Sequence, residues 1–113
     1  MEGMALARRS VETASEKQAS DIVLVDARGV CSFTDYLMLC TAESQRQLRT
    51  IYEEIEKDLK KAGAAHRREG TPDSGWILLD CGDVIIHIFS TEERERYRLD
   101  ELMAGAKLIL RMQ

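Results

Sequence analysis

The chain has 113 residues, 44% of them hydrophobic and 32% charged, with a net charge of −4. That length and balance suit one soluble domain, residues 1–113, with a single core, and the lone proline argues against Pro-rich disorder. An acidic chain is a poor binder of phosphate backbones, so direct sequence-specific nucleic-acid recognition is not expected, whereas docking on a basic protein that itself sits on RNA is compatible.

Cys31, Cys40 and Cys81 are odd in number and lack metal-ligand spacing. They read as small buried hydrophobes in a reducing compartment. No apolar run approaches the roughly 18 residues a membrane helix needs. The early stretch carries Glu2, Glu12 and Glu16 without an apolar block, so no signal peptide is expected and the cytoplasm is the expected location.

In chain order, residues 4–18 form a weakly amphipathic helix, with Leu6, Val11 and Ala14 among charges. Residues 21–26 (Asp-Ile-Val-Leu-Val-Asp) form a strand apolar on both faces, hence a covered one. Arg28-Gly29 punctuates it, and residues 35–40 form a second strand. Ser44 and Gln47 are spaced as a capping box opening a long helix. Leu48, Ile51, Tyr52, Ile55 and Leu59 make its apolar stripe, and Gly63 ends it. Residues 64–69 are expected as a short strand, followed by the loop Gly70-Thr71-Pro72-Asp73-Ser74-Gly75. Two apolar runs, 76–80 and 84–89, flank Cys81-Gly82-Asp83 and read as a tight hairpin. Ser90 and Glu93 are spaced as a second capping box, so residues 94–103 are expected as a short helix closed by Gly105. Residues 106–112 are apolar enough to pack on the body or extend a strand. This order predicts an α/β fold of the α+β type, a single mixed sheet with helices mainly on one face and a core over about 19–105.

The hairpin concentrates the unusual residues. The two-residue period puts Trp76, Leu78 and Asp80 on one face of their strand, and Ile85, His87 and Phe89 on one face of the next. The aliphatic set Ile77, Leu79, Val84, Ile86 and Ile88 is the natural core side. The mixed set then shares the less covered side, either as ordinary sheet and rim residues or as a docking surface. Asp80 and Asp83, brought together by the turn, permit an Mg²⁺ or acid/base reading, though no phosphate-binding loop accompanies them. His66 and His87 have no Cys or second His at ligand spacing, so no metal site is expected. Ser44 reads as a cap and not a nucleophile. The run Glu92-Glu93-Arg94-Glu95-Arg96 reads as a solvated helix face or the rim of a protein interface.

Taken together these residues resemble the ribosomal silencing factor (Iojap-like) family. The resemblance runs from Ala19-x-Asp21-Ile22-Val23 and Asp26 through Thr34-Asp35-Tyr36, Ser44-x-Arg46-Gln47 and Glu69-Gly70. It continues through Gly75-Trp76-Ile77-Leu78-Leu79-Asp80, Gly82-Asp83-Val84-Ile85-Ile86-His87-Ile88-Phe89 and Glu92-x-Arg94-x-x-Tyr97-x-Leu99-Asp100-x-Leu102. The chain departs from the family pattern at Ala42-Glu43-Ser44, at Cys81, at Ser90-Thr91 and at Met103. The resemblance implies a fold similar to nucleotidyltransferases without their full catalytic set. It also implies a non-enzymatic translational repressor that binds large-subunit ribosomal protein fourteen and sterically blocks joining of the small ribosomal subunit, with no cofactor. On that reading Trp76, Leu78 and Phe89 are apolar contacts and Asp80 and His87 polar ones, with Arg94, Tyr97 and Leu99 completing the patch. A homodimer through a sheet edge or the long helix is also compatible. The rival readings are a nucleotidyltransferase-like enzyme using Mg²⁺ on Asp80 and Asp83, and a direct RNA binder, which the charge disfavours.

Overall fold

The computed structural model describes residues 2–97 and 105–113. The elements are α1 (Gly3–Glu16), β1 (Ser20–Asp26), β2 (Tyr36–Ala42), α2 (Gln45–Lys61), β3 (Arg67–Thr71), a 3-10 turn (Pro72–Ser74), β4 (Trp76–Asp80), β5 (Val84–Ser90), α3 (Thr91–Tyr97) and β6 (Lys107–Met112). Each expected element is present, with ends shifted by a few residues. The third strand moves most, from 64–69 to Arg67–Thr71. The expected helix over 94–103 begins earlier, at Thr91, and its part beyond Tyr97 lies outside the described residues.

The strands form one mixed sheet in the order β3-β4-β5-β2-β1-β6. Among the described residues only the central β2–β5 pair is parallel; the other ladders are antiparallel. β1 is central, paired by β2 and β6, and both its faces are covered as its apolar pattern predicts, Ile22 and Leu24 in one core cluster and Val23 and Val25 in the other. The tail therefore extends the sheet as a sixth strand.

Side-chain alternation divides the sheet cleanly. Ile22, Leu24, Met38, Cys40, Ile77, Leu79, Val84, Ile86 and Ile88 face α1 and α2 in the larger core. The predicted stripe of α2 is wholly buried there. Each such aliphatic side chain contributes about 1.5–3 kcal/mol when removed from water. Val23, Val25, Leu37, Leu39, Ile85 and Phe89 form a smaller cluster on the opposite face, with Trp76 and Leu78 packed against it.

The start of α2 is fixed by side chains. The Ser44 hydroxyl accepts from the Gln47 amide at 3.0 Å, as in the expected box. Gln47 Oε1 reaches one residue further back than the box requires and accepts from the Glu43 amide at 2.7 Å. Its Nε2 donates to the carbonyls of Lys17 and Gln18, tying α2 to the turn before β1.

Candidate docking site

The β4–β5 hairpin has Trp76 opposite Phe89 and Leu78 opposite His87. This register, with the two-residue alternation, gathers the aromatic rings on the face away from α1 and α2. Trp76 stacks with Phe89 at a centroid distance of 5.3 Å and with His87 at 5.8 Å. His87 and Phe89 lie nearly parallel, 5.7 Å apart. Tyr97 of α3 leans on Trp76 at 4.3 Å. Pairs in this range add about 0.5–1.5 kcal/mol beyond the area they bury.

His87 is held neutral. Trp76 Nε1–H donates to His87 Nδ1 at 3.1 Å. An indole nitrogen can only donate, so Nδ1 must be the unprotonated ring nitrogen. Burial first, and the positive charge of Arg94 second, together lower the His87 pKa to about 4. At neutral pH the residue is therefore an uncharged acceptor that orients Trp76, and with 7% exposure it offers little surface of its own.

The position of α3 has two causes. The Ser90 hydroxyl accepts from the Glu93 amide at 3.2 Å, half of the expected capping box. The reciprocal half is replaced, because the Ser90 amide donates to the Gly75 carbonyl at 2.8 Å. Arg94 then turns inward and is only 8% exposed. Its Nη1 donates to the Asp21 carbonyl at 3.0 Å and to Thr41 Oγ1 at 3.1 Å. Arg94 is thus engaged inside the molecule and does not stand on the solvated face that its charge run suggested.

A groove of about 390 Å³ opens between β3, β4 and α3. Trp76, Leu78 and Tyr97 give it apolar walls, while Glu69, Glu93 and Arg96 stand at its polar edges. Two glycines make the close approaches that shape it. Gly70 has φ +89°, and a Cβ there would fall 2.0 Å from the Trp76 carbonyl oxygen. Gly75 has φ +78°, and a Cβ there would meet Ser90 Oγ at 2.7 Å and Glu93 Cγ at 2.9 Å. Both positions need a residue without a side chain.

The structure brings together Trp76, Leu78, His87, Phe89 and Tyr97. Among these, Tyr97 is exposed at 38% and Trp76 and Leu78 are half-buried. Phe89 is fully buried beneath Trp76, so it supports the surface and cannot itself be the expected contact. Arg94 likewise positions α3 from inside. Asp80 lies four residues from Trp76, about 13 Å along the strand. Its Oδ1 accepts from the Gly82 amide at 2.9 Å, which explains the carboxylate as a turn-former. It faces a separate shallow depression with His66 and Cys81. Leu99 and Met103 lie outside the described residues. Sequence reasoning did not single out Glu69 and Gly70 as groove residues, or Asp21 and Thr41 as the seat of Arg94, whereas Glu93 and Arg96 lie in the run read as a solvated face or an interface rim. Gly70 beside a charged strand was the one local signal available.

Comparison with known proteins supplies what the groove alone does not. The family described as "Ribosomal silencing factor during starvation" matches residues 2–112. The chain belongs to the ribosomal silencing factor family. It is 37% identical over 102 residues to the ribosomal silencing factor of Haemophilus influenzae, covering 89% of this chain and 100% of that one. It is 32% identical over 95 residues to the chloroplastic protein Iojap of Zea mays, covering 84% of this chain and 42% of the plant protein. A crystal structure of a Chromobacterium violaceum protein superposes with a TM-score of 0.87 at 26% identity, covering 92% of this chain and 88% of that one. Membership of the ribosomal silencing factor family implies ribosome-associated regulation of translation. Among the described residues, no helix is long and apolar enough to cross a membrane.

Proposed function

We propose that this chain docks through the Trp76–Tyr97 groove on large-subunit ribosomal protein fourteen and sterically blocks joining of the small subunit, in the cytoplasm and without chemistry of its own. The observation that carries the reading is an exposed tyrosine leaning at a tilt on a half-buried tryptophan, on the sheet face that α1 and α2 leave free. Aromatic anchors of this kind dominate protein interfaces. Glu93 already pairs with Arg96, whose guanidinium lies over the Tyr97 ring, while Glu69 at the groove edge suits a basic side chain from the partner. A net charge of −4 favours approach to a basic protein over approach to RNA.

The test is sedimentation on a gradient with purified subunits. The wild-type chain is expected with free large subunits and absent from joined ribosomes. Tyr97→Ala and Trp76→Ala should each weaken co-sedimentation by about 1–3 kcal/mol, the usual range for anchors. Folded variants that bind like wild type would remove the groove from the interface.

A further inference from the structure

Asp21 adopts a left-handed backbone, φ 46°, where β1 shifts register against β2. Such a conformation is uncommon outside glycine, and Asp and Asn tolerate it best among the other residues. A bulge of this kind re-aims what its residue carries. Here two acceptors of one residue meet the same arginine. The Asp21 carbonyl accepts from Arg94 Nη1 at 3.0 Å, and Asp21 Oδ2 lies 3.3 Å from Arg94 Nη2. The other carboxylate oxygen, Oδ1, accepts from Arg111 Nε at 3.1 Å and lies 2.9 Å from its Nη2. One carboxylate thus joins α3 to β6.

The described part of α3 is seven residues, Thr91–Tyr97, and helices in proteins owe most of their stability to packing rather than to propensity. Its orientation must come from tertiary contacts. Arg94 and Tyr97 are three residues apart and therefore neighbours on one helix face. Fixing the first restricts where the second can stand. We propose that Asp21 is a positioning residue for the docking groove: by gripping Arg94 it sets the rotation of α3 and so the seat of Tyr97 on Trp76. Its effect on affinity rests on the docking reading, whereas its effect on α3 does not.

Asp21→Asn keeps the side-chain size and the tolerance for a left-handed backbone while removing the charge. Amide hydrogen exchange should show residues 92–97 opening up to about tenfold faster, the scale of one lost half-buried ion pair, with β5 amides unchanged. Affinity for isolated large subunits should fall by a similar factor. In a Tyr97→Ala background the same substitution should cost nothing further, which a general loss of stability would not produce. Unchanged protection of α3, or losses that multiply independently in the double variant, would overturn the proposal. Should Asp21→Asn not fold, Arg94→Lys keeps the charge but loses the forked geometry, and the same outcomes decide. If Trp76→Ala and Tyr97→Ala bind as wild type, the docking reading fails, and the exchange measurement still decides the role of Asp21.

Discussion

Acidification should unfold this protein partly through His87. The folded chain holds the imidazole neutral, accepting from Trp76 Nε1, with a pKa lowered to about 4 from an ordinary 6.5. The unfolded chain takes up the proton first. Stability is therefore unaffected by His87 above about pH 6.5, falls as the pH drops toward about 4, and levels off below that. The full interval corresponds to about 3 kcal/mol, of which about 2 kcal/mol is lost by pH 5. Protonation also sets two N–H donors against each other at Nδ1 and the indole, so the local contact opposes the charge as well. The assay is urea unfolding at pH near 7.5 and near 5, in wild type and in His87→Gln, whose amide oxygen can still accept from Trp76. Wild type should lose about 2 kcal/mol more than the variant over this interval. Equal losses in both proteins would refute the reasoning.

Gly70→Ala should destabilise the β3–β4 edge by more than the ~1–2 kcal/mol of a left-handed alanine, because its Cβ would collide with the Trp76 carbonyl; a lower thermal midpoint with faster exchange confined to residues 67–78 is the expected signature. Cys40 is buried, which pushes its thiol up to about 12, and half-buried Cys81 is pushed up to about 11 by burial and then by Asp80. A thiol reagent at mildly alkaline pH should therefore label Cys40 only after urea unfolding; rapid labelling of Cys40 in the native chain would contradict the packing.

The elements legible in the sequence were those with local causes. The α2 stripe, the Ser44 cap and the division of hairpin faces all follow from period and spacing, and the structure places each where its pattern requires. What the sequence hid was non-local. Arg94 sits in a run of alternating charges, and nothing nearby shows that Asp21, far earlier in the chain, will turn to receive it. Phe89 shares a face with Trp76 and looked equally available, but burial depends on what stacks above it. The third strand was placed too early because residues 64–66 gave no sign of their real role. His66 Nε2 lies 2.8 Å from Glu56 Oε2 of α2, and pairing starts only at Arg67. The groove was half legible: its Trp76 wall lies in the hairpin, whereas its Glu69 and Glu93 edges require knowing how β3 and α3 converge.

The parallel β2–β5 pair at the centre of the sheet also governs the order of assembly. Its partners, Tyr36–Ala42 and Val84–Ser90, are separated by α2, β3 and β4, so the core closes by a long-range contact of the kind that slows folding. The β4–β5 hairpin is local and can form early, carrying Trp76 and Phe89 with it. The Arg94 seat needs β1 and β2 already docked beside β5. A chain emerging during its own synthesis thus acquires the tyrosine side of its groove last, and in refolding the Trp76 fluorescence should settle after the sheet has formed.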